Sequence, residues 1–212
     1  MTRILIIGAS GQISQEAIDL YLENTDFDLT LLARNKAKLP EYNSNRVTVI
    51  EGDATDKSSV SNALDNVNTV FVSSTGGSLG DQAKTVIEAM NDNGTKRLIF
   101  VTSLNTLHEV PGKFGEWNDE NIGPYLAPFR EATEVIENSD LNYTIFRPAW
   151  LTNYDEIDYE VTQRDEPFKG TEISRKSVAD LAVKISQDPQ LHSKENIGLN
   201  KPNTDGDKPS WM

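Results

Sequence analysis

The segment that most constrains this chain is its opening, where Ile4-Leu5-Ile6-Ile7 runs into Gly8-Ala9-Ser10-Gly11 and then into an amphipathic stretch from Gln12. Four consecutive aliphatic residues closed by a glycine read as a strand covered on both faces. From Gln12 to Glu23 the apolar positions Ile13, Ala17, Leu20 and Tyr21 recur at helical spacing. A strand that passes through two glycines into a helix leaves the first helical N–H groups without internal acceptors. Those amides and the positive end of the helix dipole then meet at one point, which suits a phosphate. Gly8 allows the tight turn, and Gly11 lets the backbone approach a diphosphate. The third small position of the pattern holds Ser14 instead of Gly or Ala. A plain strand-to-helix turn is the competing reading, and the flanking elements favour the phosphate loop.

The same alternation continues along the chain. Further strands are expected at Leu29–Ala33, Val47–Glu51, Thr69–Ser73, Arg97–Thr102 and Tyr143–Arg147. Helices are expected at Lys57–Leu64, Leu79–Asn91, Pro124–Asn138 and from Ser174 to about Gln187. Strands alternating with helices imply parallel pairing through right-handed crossovers. The expected fold is α/β: one Rossmann-type, doubly wound parallel sheet with helices on both faces, residues 1–212 forming a single domain. Two segments, 104–123 and 150–172, lack a clear period. They follow strands, and in such a sheet the loops leaving the carboxyl ends form the ligand crevice, so both are candidate substrate walls. The tail from Asn200 is rich in turn residues.

Composition narrows the function. The 212 residues include no cysteine and only 2 histidines, so thiolate chemistry is excluded and no metal site is expected. A formal charge of −13 would repel a phosphate backbone, which argues against nucleic acid and anionic membranes. The opening apolar run is too short for a signal segment, and no stretch approaches the ~20 apolar residues of a membrane span. The expected compartment is cytoplasmic and the expected partner a small-molecule substrate. No sequence feature commits the chain to a homodimer.

The end of the second strand reads Leu32-Ala33-Arg34-Asn35-Lys36. Sites that hold a free ribose 2′-hydroxyl place an acid there, whereas a guanidinium matches a 2′-phosphate in charge and in its fork of donors. Ser10 can add a hydroxyl. The expected cofactor is therefore NADP(H) in preference to NAD(H), a solvated surface arginine being the alternative for Arg34.

Taken together, Gly8-Ala9-Ser10-Gly11-Gln12-Ile13, Leu32-Ala33-Arg34, Gly52-Asp53-Ala54-Thr55-Asp56, Phe100-Val101-Thr102-Ser103, Tyr143-Thr144-Ile145-Phe146-Arg147-Pro148-Ala149 and Ile173-Ser174-Arg175 resemble the atypical short-chain dehydrogenase/reductase family. The match is to its short NAD(P)H-binding, NmrA-like branch. The resemblance implies that Gly8, Ser10, Gly11, Gln12, Ile13 and Arg34 bind the cofactor phosphates. It also implies that Asp53 and Ala54 lie by the adenine, with Ser73, Ser74 and Thr75 along the ribose and nicotinamide. Ser103 matches the family's catalytic serine. The family's Tyr-x-x-x-Lys pair is broken, because Tyr125 is followed four residues on by Phe129, with Arg130 one position later. An unassisted phenol, with a pKa near ~10, is a poor base at neutral pH.

Three activities follow from these residues. The first is NADPH-dependent reduction of a small planar acceptor, quinone- or flavin-like, for which orientation suffices and solvent gives the proton. Phe114, Trp117, Trp150 and Tyr154 are then aromatic walls, or else they cap the core. His108 is a proton donor in this scheme, or simply solvated. The second activity is non-catalytic redox sensing through the bound dinucleotide. The third is a conventional reductase using Ser103 and Tyr125, with Arg130 replacing the lysine electrostatically.

Overall fold

The computed structural model describes residues 2–212. Its strands are β1 (Arg3–Ile7), β2 (Asp28–Ala33), β3 (Val47–Glu51), β4 (Thr69–Val72), β5 (Arg97–Val101), β6 (Asn142–Pro148), β7 (Trp150–Thr152), β8 (Glu160–Thr162), β9 (Glu172–Ser174) and β10 (Glu195–Asn200). Its helices are α1 (Gln12–Asn24), α2 (Lys57–Ala63), α3 (Leu79–Asn93), α4 (Gly112–Ile122), α5 (Ala127–Glu137) and α6 (Arg175–Gln187).

Eight strands form one sheet in the order β3-β2-β1-β4-β5-β6-β10-β8, and β7 pairs with β9 separately. Every pair in the large sheet is parallel except β10 with β8. Because strand side chains alternate, β1 serves two cores at once. Ile4 and Ile6 join Ala17 and Ile18 of α1 and Val178 and Leu181 of α6 on one face. Leu5 and Ile7 join Val60 of α2, Ala83 and Val86 of α3, and Ile136 of α5 on the other. All four strand residues are essentially inaccessible, and each contributes roughly 1.5–3 kcal/mol by leaving water. This is the doubly wound Rossmann-type fold. The chain leaves β1 toward β2 and later returns to β1's other side as β4, so the strand order reverses between them, where such sheets bind ligands.

Four local expectations need correction. Segment 104–123 contains α4, although its Gly, Trp and Asn content has weak helical preference. Tertiary contacts override that preference. Phe114 and Asn118 are buried, the Asn118 side chain donates to the Phe114 carbonyl, and Gly115 lets the helix lie against the Val110 carbonyl, where a Cβ would collide. The helix expected over Pro124–Asn138 is shorter, since Gly123–Tyr125 forms a separate 3₁₀ turn before α5. Segment 150–172 carries the short strands β7 and β8. Finally, β10 lay hidden in Glu-Asn-Ile-Gly-Leu-Asn, a poor strand sequence made regular by pairing on both sides.

Candidate active site

The turn after β1 is shaped by close backbone approach. Gly8 has φ +79°, and a Cβ on it would stand 2.5 Å from the Ser73 carbonyl oxygen at the end of β4. A Cβ on Gly11 would lie 3.2 Å from the Gly8 oxygen and 3.3 Å from that of Ser73. The glycines thus let the turn lie directly against the end of β4, an approach a side chain at Gly8 would block. Gly8 N–H and Ala9 N–H donate to the Leu32 carbonyl at 3.2 and 3.3 Å, and Gly11 N–H donates to Gly8 at 2.9 Å. The Gln15 side chain donates to the Ala9 carbonyl at 2.6 Å. With the loop held this way, the N–H groups of Ser10, Gln12 and Ile13 have no acceptor among the described residues. They form a donor cradle suited to a diphosphate. Below them the Ser14 hydroxyl is buried with no partner.

A cleft of about 670 Å³ opens over this loop. It is lined by Gly8, Ser10, Gly11, Gln12 and Ile13 from the loop, Arg34 beyond β2, Asp53 and Ala54 beyond β3, and Ser73, Ser74 and Thr75 beyond β4. Every residue expected at the cofactor therefore lies on one cleft. Arg34 is exposed, and Lys38, in the short 3₁₀ turn Lys36–Lys38, joins it on the wall. Asp53 accepts from the Thr55 amide and hydroxyl, both at 2.8 Å. Those bonds, with a smaller contribution from Arg34, hold its carboxyl below the usual range. The free loop amides and the two exposed cations thus bring hydrogen-bond donors and positive charge to one cleft.

Sequence reasoning missed several lining residues. Gln82 in the first turn of α3 is nearly buried, its side-chain oxygen accepting from the Ser74 hydroxyl at 2.7 Å and its amide donating to Ser78 at 3.2 Å. Lys38, Ser78, Leu151 and Arg175 also line the cleft. The available signal was a polar residue on the buried face of an amphipathic helix, and a basic residue opening α6.

Ser103, Tyr125 and Arg130 are not among the residues lining the cleft. Ser103 follows β5, and its carbonyl accepts from the Thr106 hydroxyl, whose own backbone carbonyl accepts from Arg130 Nε at 3.3 Å. Ser103 and Arg130 thus brace one loop, while Tyr125 is 70% exposed on the 3₁₀ turn. The aromatic residues pack on each other. Ring centroids lie 6.2 Å apart for Phe114–Trp117, 4.8 Å for Trp117–Trp150 and 6.3 Å for Trp150–Trp211. Trp150 Nε1 donates to Asn118 at 2.7 Å, on the other side of β7 from Leu151, which faces the cleft. Capping, not lining, describes this cluster. Tyr154 and His108 are exposed.

A buried ion pair fixes the loop after β5. Arg147 is fully inaccessible and pairs with Glu109, which also accepts from the Asn105 and Leu107 amides at 3.0 and 2.9 Å. Arg147 Nε donates to Asn196 at 2.8 Å.

Known proteins match this arrangement. The NAD(P)H-binding family profile matches residues 8–189. A Rossmann-fold NAD(P)-binding family protein from Shigella flexneri is 44% identical, with full coverage of both chains and a TM-score of 0.86. A short-chain dehydrogenase/reductase from Veillonella parvula, solved in complex with NADP, is 31% identical, covers 99% of each chain and has a TM-score of 0.93. Among curated relatives, an uncharacterized sugar epimerase of Bacillus subtilis is 30% identical across 71% of this chain and 73% of its own. The NAD(P)H azoreductase of Xenophilus azovorans is 29% identical across 70% of this chain, which spans 48% of that enzyme. No helix among the described residues is long and apolar enough to cross a membrane. The fold, the glycine cradle and these matches make the chain a member of the NAD(P)H-binding family of atypical short-chain dehydrogenases/reductases.

Proposed function

We propose that the protein is an NADPH-dependent oxidoreductase that reduces a small planar acceptor of quinone or flavin type. The observation that carries the cofactor choice is the wall beyond β2, where Arg34 and Lys38 line the cleft and no carboxylate from that strand end does. A 2′-phosphate placed there gains charge-assisted hydrogen bonds worth about 1.5–3 kcal/mol, which a free 2′-hydroxyl does not. The NADP bound by the Veillonella relative supports the same reading.

The chain's own contribution is to bind and orient. The Ser10, Gln12 and Ile13 amides hold the diphosphate, Arg34 and Lys38 the 2′-phosphate, and the Ser74–Gln82–Ser78 chain supplies polar contacts along the ribose. Bound reduced nicotinamide supplies a hydride. The cleft lining holds no imidazole or phenol and Tyr125 is exposed on a turn, which supports acceptors that need no side-chain acid or base. Acceptors that take a hydride and then a proton from water fit this wall, as the azoreductase relative's activity suggests. The same absence favours one second reading: a non-catalytic, NADP(H)-binding redox sensor. Purified protein with NADPH and a panel of quinones, flavins, azo dyes and aldehydes separates these. Acceptor-dependent loss of absorbance with quinones or flavins is expected. No turnover with any acceptor, together with similar affinity for NADPH and NADP+, would establish the sensor instead.

A further inference from the structure

Arg175 is the first residue of α6. Helix α6 packs along α1 on the same face of the sheet. Helix α1 follows β1, and α6 precedes the parallel strand β10, so both helices begin at the carboxyl end of the sheet. Their N-termini therefore stand side by side, with Arg175 and Ile13 both on the cleft wall. The guanidinium is aimed by the segment after β7: Nη1 donates to Asn153 Oδ1 at 2.7 Å and to the Leu151 carbonyl at 3.4 Å. No carboxylate lies within ion-pair distance of it among the described residues, Glu16 on α1 acting only through its field. Partial burial pushes its pKa below the ordinary arginine value, as expected for a cation without a counterion. A half-buried cation with no carboxylate partner among the described residues thus stands on the cleft wall with the loop residues Ser10 to Ile13.

We infer that Arg175 neutralises the diphosphate of the bound dinucleotide, reaching from α6 across the opening turn of α1 to complete from above the cradle that the loop amides form from below. This rests on the cleft being the dinucleotide site. A guanidinium suits the role because its remaining N–H donors can take two phosphate oxygens while Nη1 stays on Asn153.

Calorimetric titration of the wild type, Arg175→Gln and Arg175→Lys with three probes tests this. NADP+ carries the diphosphate, 2′-phospho-ADP-ribose carries it without nicotinamide, and 2′-AMP carries only the 2′-phosphate. Arg175→Gln is expected to weaken the first two about 10- to 100-fold and leave 2′-AMP unchanged, with Arg175→Lys intermediate. Unchanged affinity for 2′-phospho-ADP-ribose overturns the inference, including the case in which NADP+ alone weakens and the cation serves the nicotinamide half. Loss of 2′-AMP binding also overturns it, because the effect is then not on the diphosphate. A wild type that binds none of the probes sinks the dinucleotide reading itself. Melting temperatures check folding; should the glutamine variant unfold, Arg175→Lys carries the same comparison.

Discussion

The two halves of the carboxyl edge of the sheet are built differently. On the β1–β2–β3 side, the ligand-facing groups are backbone amides, two glycines and a pair of exposed cations, held by short turns close to rigid strand ends. On the β5–β6 side, the long connections are knitted into themselves. Glu109 ties the turn after β5 to buried Arg147, Trp150 closes against Asn118 and Trp117, and the C-terminal segment is pinned by Glu172 accepting from the Ser210 amide at 2.8 Å. The first half offers free backbone donors at the cleft, and the second is held by side-chain bonds among its own segments. On the proposed reading, binding concentrates where the backbone is left unpaired.

Breaking the first half should have the largest effect. Gly8→Val forces a β-branched residue into φ +79° with its Cβ 2.5 Å from the Ser73 oxygen. Dinucleotide binding is expected to vanish, with stability lost by about 1–3 kcal/mol or more in urea melts. Retained binding would show that the cradle is not the site. Breaking the second half should act through folding. Arg147→Met leaves Glu109 buried and charged, costing about 3–5 kcal/mol. Adding Glu109→Gln should recover part of that loss, and purely additive penalties would deny the coupling. Arg34→Ala sharpens the comparison by separating phosphate from dinucleotide. Affinity for NADP+ should fall about 10- to 100-fold with NAD+ little changed, as read by calorimetry. The smallest effect is expected from Tyr125→Phe: turnover with a quinone acceptor should match the wild type, and a large drop in kcat would return the phenol to the mechanism.

The difference between the halves also explains what the sequence could reveal. The β1–α1 unit was legible because continuous apolar runs, two glycines and a helical stripe each have local causes, and its cleft residues follow strand ends directly. Lys38 and Gln82 escaped notice, and Arg175 was read only as part of a motif, because a fold must bring them to the cleft from three separate elements. Helix α4 and strand β10 were illegible for a related reason. Gly115 is tolerated in its helix by the Val110 carbonyl beside it, and Gly198 in its strand by the Phe168 ring, contacts with residues not adjacent in sequence. The aromatics of 104–123 and 150–172 read in sequence equally as walls or as core caps, and only the alternation along β7 shows that Trp150 points away from Leu151 and the cleft.

The most direct measurement is a calorimetric titration of the wild-type protein with NADP+ and NAD+ side by side. Saturable binding of one NADP+ per chain is expected, tighter than NAD+ by about 10-fold or more, as a cationic β2 end requires. Equal affinities, a preference for NAD+ or no heat with either would contradict a cleft in which free loop amides and Arg34 grip a phosphorylated adenosine.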